Sequence, residues 1–215
     1  MRGVENRNAV SKSCTLSGVK SKSPMKNERT SWNERYRAGS HRSLAPDPFL
    51  VSAYQEFIEP LFPKGGSAFD LAGGVGRHAI WLAERGWHVT LADISEVAIE
   101  QARRNAGQWA GKIYFRAEDC AHFKAGKGRY DLVLVFFYLE RKILPELAKA
   151  LRPGGLLLYK TYTRLHPSFG RGPTHPMHLL KGNELIKAVP GLTVLHYHET
   201  VSQRGVAEFV GRKRQ

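Results

Sequence analysis

Between Ala68 and Ala83 an apolar run meets a turn of small residues and becomes a helical pattern with nothing in between. Ala68–Ala72 reads as a strand, Gly73, Gly74 and Gly76 follow at once, and Gly76–Arg85 repeats its apolar positions at helical spacing. A strand that passes through glycine straight into a helix opens a strand–helix–strand unit, so the next strand must lie parallel to the first. Small residues at Ala72, Gly73, Gly74 and Gly76 let the backbone come close to a ligand, and glycine permits positive φ.

The rest of the chain keeps the same alternation. A short helix is predicted over 31–38 and a second over 48–60, ended near Pro60 and Pro63. Strands follow at His88–Ala92, Ile113–Ala117, Tyr130–Phe137 and Gly155–Thr161. Tyr130–Phe137 is a continuous apolar run, as befits a strand buried on both faces. Ser95 can cap a helix running to about Asn105, with Glu96 in its first turn, and a short helical turn follows Asp119. A helix over Arg141–Leu151 stops at Arg-Pro-Gly-Gly; a Pro-, Gly- and His-rich loop spans about 164–180, with a helix at about 182–188. Strands at Thr193–Glu199 and Val206–Arg212 are joined by about six residues, too few for a parallel crossover, so they form an antiparallel hairpin. The predicted fold is α/β: a doubly wound, mostly parallel seven-stranded sheet with an antiparallel C-terminal hairpin.

Composition bounds the partners. At 215 residues, 42% hydrophobic and 24% charged, the chain has room for one domain with an appendage and is not wholly disordered. Its longest uncharged apolar run, Leu132–Leu139, is far short of the ~20 residues that cross a bilayer, and its first thirty residues hold no apolar stretch of signal-peptide type. Cys14 and Cys120 make no disulfide framework. The expectation is a cytoplasmic protein without a membrane partner. Residues 1–45 hold ten Lys/Arg and three acids, half of the net charge of +14 in a fifth of the chain. Residues 1–30 read as a basic disordered tail rather than a nucleic-acid arm, with Met25 as an alternative start. Residues 31–215 read as the folded domain, with an N-terminal helical lid over about 31–62. Among nine histidines, neither His175/His178 nor His196/His198 has acidic or Cys partners at ligand spacing, so no metal is assigned.

Acids at the strand ends give the turn its chemistry. Asp93 lies seventeen residues beyond Gly76, at the end of the second strand, where a carboxylate can accept both vicinal hydroxyls of a ribose. Asp119 ends the third strand and can accept an adenine amino group. Gly74-x-Gly76-x-x-Ala79 also fits an NAD fingerprint. Asp70, however, places an anion beside the turn, which suits an ammonium and a sulfonium and is unhelpful to a pyrophosphate.

These features resemble the class I S-adenosylmethionine-dependent methyltransferases over about Trp32 to Arg212. DLAGGVG resembles the family's D/E-x-G-x-G-x-G turn, with Ala72 at the first glycine position, which suggests that this position does not need positive φ. LADIS supplies the ribose acid Asp93 with Ile94, and AEDC the adenine-edge acid Asp119 with Cys120. YDLVLVFFYLER, with Phe136, resembles the fourth-strand motif, and LRPGGLLLYKTY the turn and fifth strand. WNERYRAG further resembles the tellurite-resistance-type branch of small-molecule methyltransferases. The resemblance implies that Arg35 pairs with the methionyl carboxylate while Trp32 and Tyr36 help close the site; packing of these two rings on the domain is the competing reading.

The implied cofactor is S-adenosylmethionine, and the implied product S-adenosylhomocysteine. The implied reaction is methyl transfer to a small-molecule acceptor, with Tyr138, Tyr162 and His175 as acceptor-side candidates and no assigned catalytic base. No Asn/Asp-Pro-Pro-aromatic segment follows the fourth strand, which lowers nucleobase amine chemistry. Alternatives are an RNA methyltransferase tethered by the basic tail, a non-catalytic cofactor-binding module and, weakest, an NAD-dependent oxidoreductase.

Overall fold

The computed structural model describes residues 24–215 apart from 125 and 171. One seven-stranded sheet organises them, in the order β3-β2-β1-β4-β5-β7-β6. β1 (Ser67–Leu71), β2 (His88–Asp93), β3 (Ile113–Ala117), β4 (Tyr130–Phe136) and β5 (Leu151–Tyr162) are mutually parallel. β7 (Val206–Lys213) is antiparallel to both β5 and β6 (Leu192–Thr200), so the expected C-terminal hairpin is present.

The central strands are buried on both faces, and alternate residues serve different layers. Leu132 and Leu134 of β4 pack with α2 (Pro48–Ala53), α3 (Arg77–Ala83) and α4 (Glu96–Ala106) through Leu50, Leu82 and Ile99. Val133 and Val135 point to the other layer, where α5 (Leu144–Ala150) and α6 (Glu184–Ala188) contribute Leu144, Leu147 and Leu185. Ser95 caps α4 as expected, its Oγ accepting the Ala98 N–H at 3.1 Å.

Element bounds differ from expectation in several places. α1 spans Pro24–Arg37, so residues 24–30 of the expected tail are helical, while residues 1–23 lie outside the described residues. The expected helix over 48–60 divides into α2 and a π-helical turn, Tyr54–Ile58, where the Glu59 N–H reaches the Tyr54 carbonyl at 2.8 Å and Tyr54 meets Trp81 edge-on. β5 begins at Leu151 rather than Gly155, because the pairing with β4 resumes across a bulge between Tyr130 and Leu132. A Cβ on Gly155 would sit 3.0–3.1 Å from three carbonyl oxygens there, so only glycine fits without a shift. Five parallel strands therefore bring the ends of β1 to β5 to one edge of the sheet, where open α/β folds form their crevices.

Candidate active site

The turn after β1 is held in an unusual backbone shape. Ala72 has φ +58°, Gly74 +57° and Gly76 +84°. The inference that Ala72 spares its position from positive φ is thus wrong: an alanine occupies the left-handed region here, at a cost of ~1–2 kcal/mol. The Gly73 N–H donates to the Ala92 carbonyl at 3.1 Å and the Gly76 N–H to Gly73 at 3.1 Å, which hold the turn against that strain. Gly73 is needed for space instead, since a Cβ there would lie 2.7 Å from Asp70 Oδ2.

Asp93 and Asp70 face this turn from two strands. Asp93 Oδ2 accepts the Gly74 N–H and Oδ1 the Ser95 N–H, both at 2.9 Å, tying the turn to the start of α4. Burial pushes the Asp93 carboxyl up to about 6, against the pull of those two N–H groups. Asp70 is 1% exposed and its Oδ2 has no hydrogen-bond partner. Burial lifts its carboxyl to about 7; Arg77 and the Ala79 N–H oppose the rise and Asp93 adds to it. Such a pair favours a cation nearby, which is the electrostatic requirement of S-adenosylmethionine. The residues present therefore fit that cofactor.

The adenine-edge residues are arranged less openly. Asp119 Oδ1 accepts the Ala121 N–H at 2.9 Å and Oδ2 lies 2.8 Å from His122 Nδ1, so both oxygens are engaged within its own helical turn. Cys120 is buried, its thiol directed at the Ala92 carbonyl at 3.8 Å, and burial raises its pKa. Ile94 is half-buried between Asp93 and Ser95. Phe136 is buried in the core, its ring against His78 (4.2 Å) and Phe49 (6.2 Å).

α1 lies over the turn. Asn33 Oδ1 is 2.6 Å from Ser95 Oγ, and Gln101 Nε2 donates to the Tyr36 carbonyl at 3.2 Å. Tyr36 is buried with Val75 and Ala98, as the packing reading required. Its hydroxyl also hangs over Gly74, where an added Cβ would sit 2.6 Å away. Trp32 stacks on Tyr36 at 5.9 Å, and the exposed Arg35 guanidinium covers the Trp32 ring at 4.9 Å.

The acceptor-side candidates separate. The Tyr138 carbonyl accepts the Tyr159 hydroxyl at 2.7 Å, and burial raises the pKa of Tyr138's own hydroxyl. Tyr162 stacks between Phe137 (5.0 Å) and His166 (4.1 Å). His175 is exposed and caps its own turn, Nδ1 accepting the Met177 N–H at 3.3 Å.

A buried ion triad at this edge escaped the sequence reading. Lys160 of β5 reaches Asp47 Oδ1 at 2.8 Å and Glu208 Oε1 at 2.9 Å. Asp47 also caps α2, and its N–H donates to His78 Nε2 at 3.3 Å. Burial, Arg77 and Lys160 hold His78 well below the usual histidine range, so it is neutral and able to accept. The only signals were a lysine within an apolar strand and an Asp-Pro helix start, 113 residues apart. A cavity of about 340 Å³ between α3 and the end of α4, lined by Trp81 and Trp109, holds none of the strand-end acids.

Residues 68–155 match a family described as a methyltransferase domain. The demethylmenaquinone methyltransferase of Clavibacter sepedonicus is 35% identical over 128 residues, covering 57% of this chain and 51% of that protein. The tRNA 5-carboxymethoxyuridine methyltransferase of Escherichia coli K12 is 34% identical over 135 residues, covering 58% and 51%. The chain spans about half the length of the curated relatives it matches. Among solved structures, the Burkholderia thailandensis 1,6-didemethyltoxoflavin-N1-methyltransferase, with bound 1,6-didemethyltoxoflavin and S-adenosylhomocysteine, superposes with TM-score 0.66 at 16% identity, covering 93% and 94%. TehB from Haemophilus influenzae superposes with TM-score 0.64 at 19% identity, covering 85% and 67%, a likeness of fold. Residues 68–155 therefore match a methyltransferase-domain family, and the sheet that carries them has the fold of the class I S-adenosylmethionine-dependent methyltransferases.

Proposed function

We propose that the chain transfers a methyl group from S-adenosylmethionine to a small-molecule acceptor at the edge formed by the ends of β1, β2, β4 and β5. The observation that carries this reading is Asp70: a buried carboxylate with an unpartnered oxygen, packed against a turn where only Gly73, without a Cβ, fits beside it. When bound, the cofactor supplies a methyl group already activated by the positive sulfur. The chain's task is then to hold and orient. Asp93 keeps spare lone pairs for the ribose hydroxyls beyond its two backbone bonds, and Asp70 offsets positive charge. Tyr36 and Trp32 cover the turn and exclude water, and Phe137 and Tyr162 wall the acceptor side. Orientation of this kind reaches effective molarities of about 10⁵–10⁸ M.

Titration calorimetry with S-adenosylhomocysteine tests the reading. Wild-type protein is expected to bind in the micromolar range. Asp93→Asn, which removes the charge from the ribose acceptor, is expected to bind about 100-fold more weakly, since hydrogen bonds to a charged group are worth ~1.5–3 kcal/mol. A wild-type protein that binds neither cofactor nor product overturns it. The tRNA-modifying relative and the +7 charge of residues 1–45 favour a second reading, an RNA acceptor. That reading predicts RNA affinity that falls steeply with salt and with deletion of residues 1–30; RNA binding unchanged by the deletion counts against it.

A further inference from the structure

Among the described residues, six buried side-chain nitrogen or oxygen atoms lack a hydrogen-bond partner. Three of them, Thr163 Oγ1 and both ring nitrogens of His166, fall within four residues at the end of β5. A fourth, Asp70 Oδ2, belongs to the cofactor turn at the same edge. Folded proteins satisfy nearly all buried polar groups, so three orphans within four residues at the carboxyl edge point to a ligand that completes them.

The surroundings describe that ligand. β1, β4 and β5 are consecutive in the sheet, so at about 4.8 Å per strand the end of β5 lies about 10 Å from the cofactor turn. Phe137, the residue after β4, has φ +57°, a strained conformation for a bulky residue and one that persists mainly at functional sites. Its ring lies 5.0 Å from Tyr162, and Tyr162 lies 4.1 Å from His166. Phe137 and Tyr162 are only half-buried, so the stack keeps open surface. Behind it, Gly172 and Gly205 close on the segment with backbone alone. A Cβ on Gly172 would overlap His166 Nε2, and one on Gly205 would lie 2.8 Å from Thr163 Oγ1. Neither glycine offers a side chain to pair with the imidazole.

We infer that His166, with Thr163 beside it, receives the hydroxyl of a planar aromatic acceptor stacked against Phe137 and Tyr162. The inference rests on the methyltransferase reading above and names its substrate class. An imidazole with a free lone pair accepts the phenolic hydrogen. As a lone pair of the phenol oxygen forms the new bond to the methyl carbon, the electron pair of the carbon–sulfur bond passes to sulfur. The phenolic proton then rests on the histidine, and atoms and charge balance with S-adenosylhomocysteine and an aryl methyl ether as products.

The test uses protein loaded with S-adenosylhomocysteine and titrated with 4-nitrophenol, with 4-nitroanisole as the probe lacking a hydroxyl. Wild type is expected to bind 4-nitrophenol and shift its absorbance toward the phenolate, and to methylate catechol from labelled cofactor. His166→Gln is expected to keep its S-adenosylhomocysteine affinity within about twofold while losing the absorbance shift. Its catechol methylation should fall at least about 100-fold, with loss of the pH dependence of kcat, as removal of a general base predicts. Tyr162→Leu is expected to raise KM for catechol and leave that pH profile in place, and it decides the matter if His166→Gln does not fold. A folded His166→Gln protein that methylates catechol at the wild-type rate overturns the inference. So does a wild-type protein that methylates thiols or amines but no phenol. Failure of wild type to bind S-adenosylhomocysteine removes the methyltransferase reading and this inference together; binding without a 4-nitrophenol response removes this inference alone.

Discussion

Replacing Asp70 by asparagine tests whether a buried anion with an unpartnered oxygen is held at the glycine turn. The Asp70 carboxyl sits at about 7 in the folded chain, raised chiefly by burial, against an ordinary value of 3.8. A folded-state pKa above the unfolded one means that the folded protein binds more protons between about pH 4 and 7. Stability attached to this group is therefore fully present below about pH 4 and is lost as pH rises through 7. Each pKa unit corresponds to about 1.4 kcal/mol, so the loss for Asp70 is about 4 kcal/mol. An asparagine at this position cannot ionise, so Asp70→Asn should gain on wild type by up to that amount between pH 4 and 8. His41 and His78 are common to both proteins and cancel in the difference, whereas Asp93 is coupled to Asp70, so the difference reports the pair. Urea unfolding of the two proteins at half-unit pH steps measures it. A difference that stays flat, or that favours wild type as pH rises, would refute the claim that this carboxylate is desolvated and incompletely paired. The variant should also bind S-adenosylhomocysteine less tightly above pH 7, where wild type presents the charge.

Three further outcomes follow from the geometry. Ala72→Gly removes the left-handed strain and should change stability by no more than about +1 kcal/mol, because glycine's extra unfolded entropy offsets the gain, whereas Ala72→Val should destabilise by about 2 kcal/mol or more; thermal melts compare them. Lys160→Ala leaves the buried Asp47 and the half-buried Glu208 uncompensated and should cost about 3–5 kcal/mol in urea, while Lys160→Met combined with Asp47→Asn and Glu208→Gln should recover much of it. Asn33→Ala frees α1 from Ser95 and should lower hydrogen-exchange protection in 24–37 while leaving β1 and β4 protected.

Much of the architecture is legible because parallel strands buried on two faces write themselves as apolar runs. Tyr130–Phe137 and Ile113–Ala117 are found almost residue for residue, and the short link at Gly205 is enough to force the antiparallel pair. Ser95 is readable because a cap acts within its own turn. Asp93 is found at the right strand end, but its two backbone bonds are not, since they depend on how the turn after β1 folds back onto β2. Ala72 misleads for a related reason: residue type constrains φ only weakly when neighbouring hydrogen bonds can hold the strain. The Asp47–Lys160–Glu208 triad and the Phe137–Tyr162–His166 stack join segments that only the three-dimensional arrangement brings together, and no spacing rule reports them.

A sulfonium nucleoside is expected to sit at the edge beside Asp70 and Asp93. A crystal structure of the protein grown with S-adenosylhomocysteine measures that directly. The account predicts nucleoside density across the turn of residues 72–76 with both ribose hydroxyls on Asp93. Density for the nucleoside bound elsewhere, such as in the cavity between Trp81 and Trp109, would contradict it.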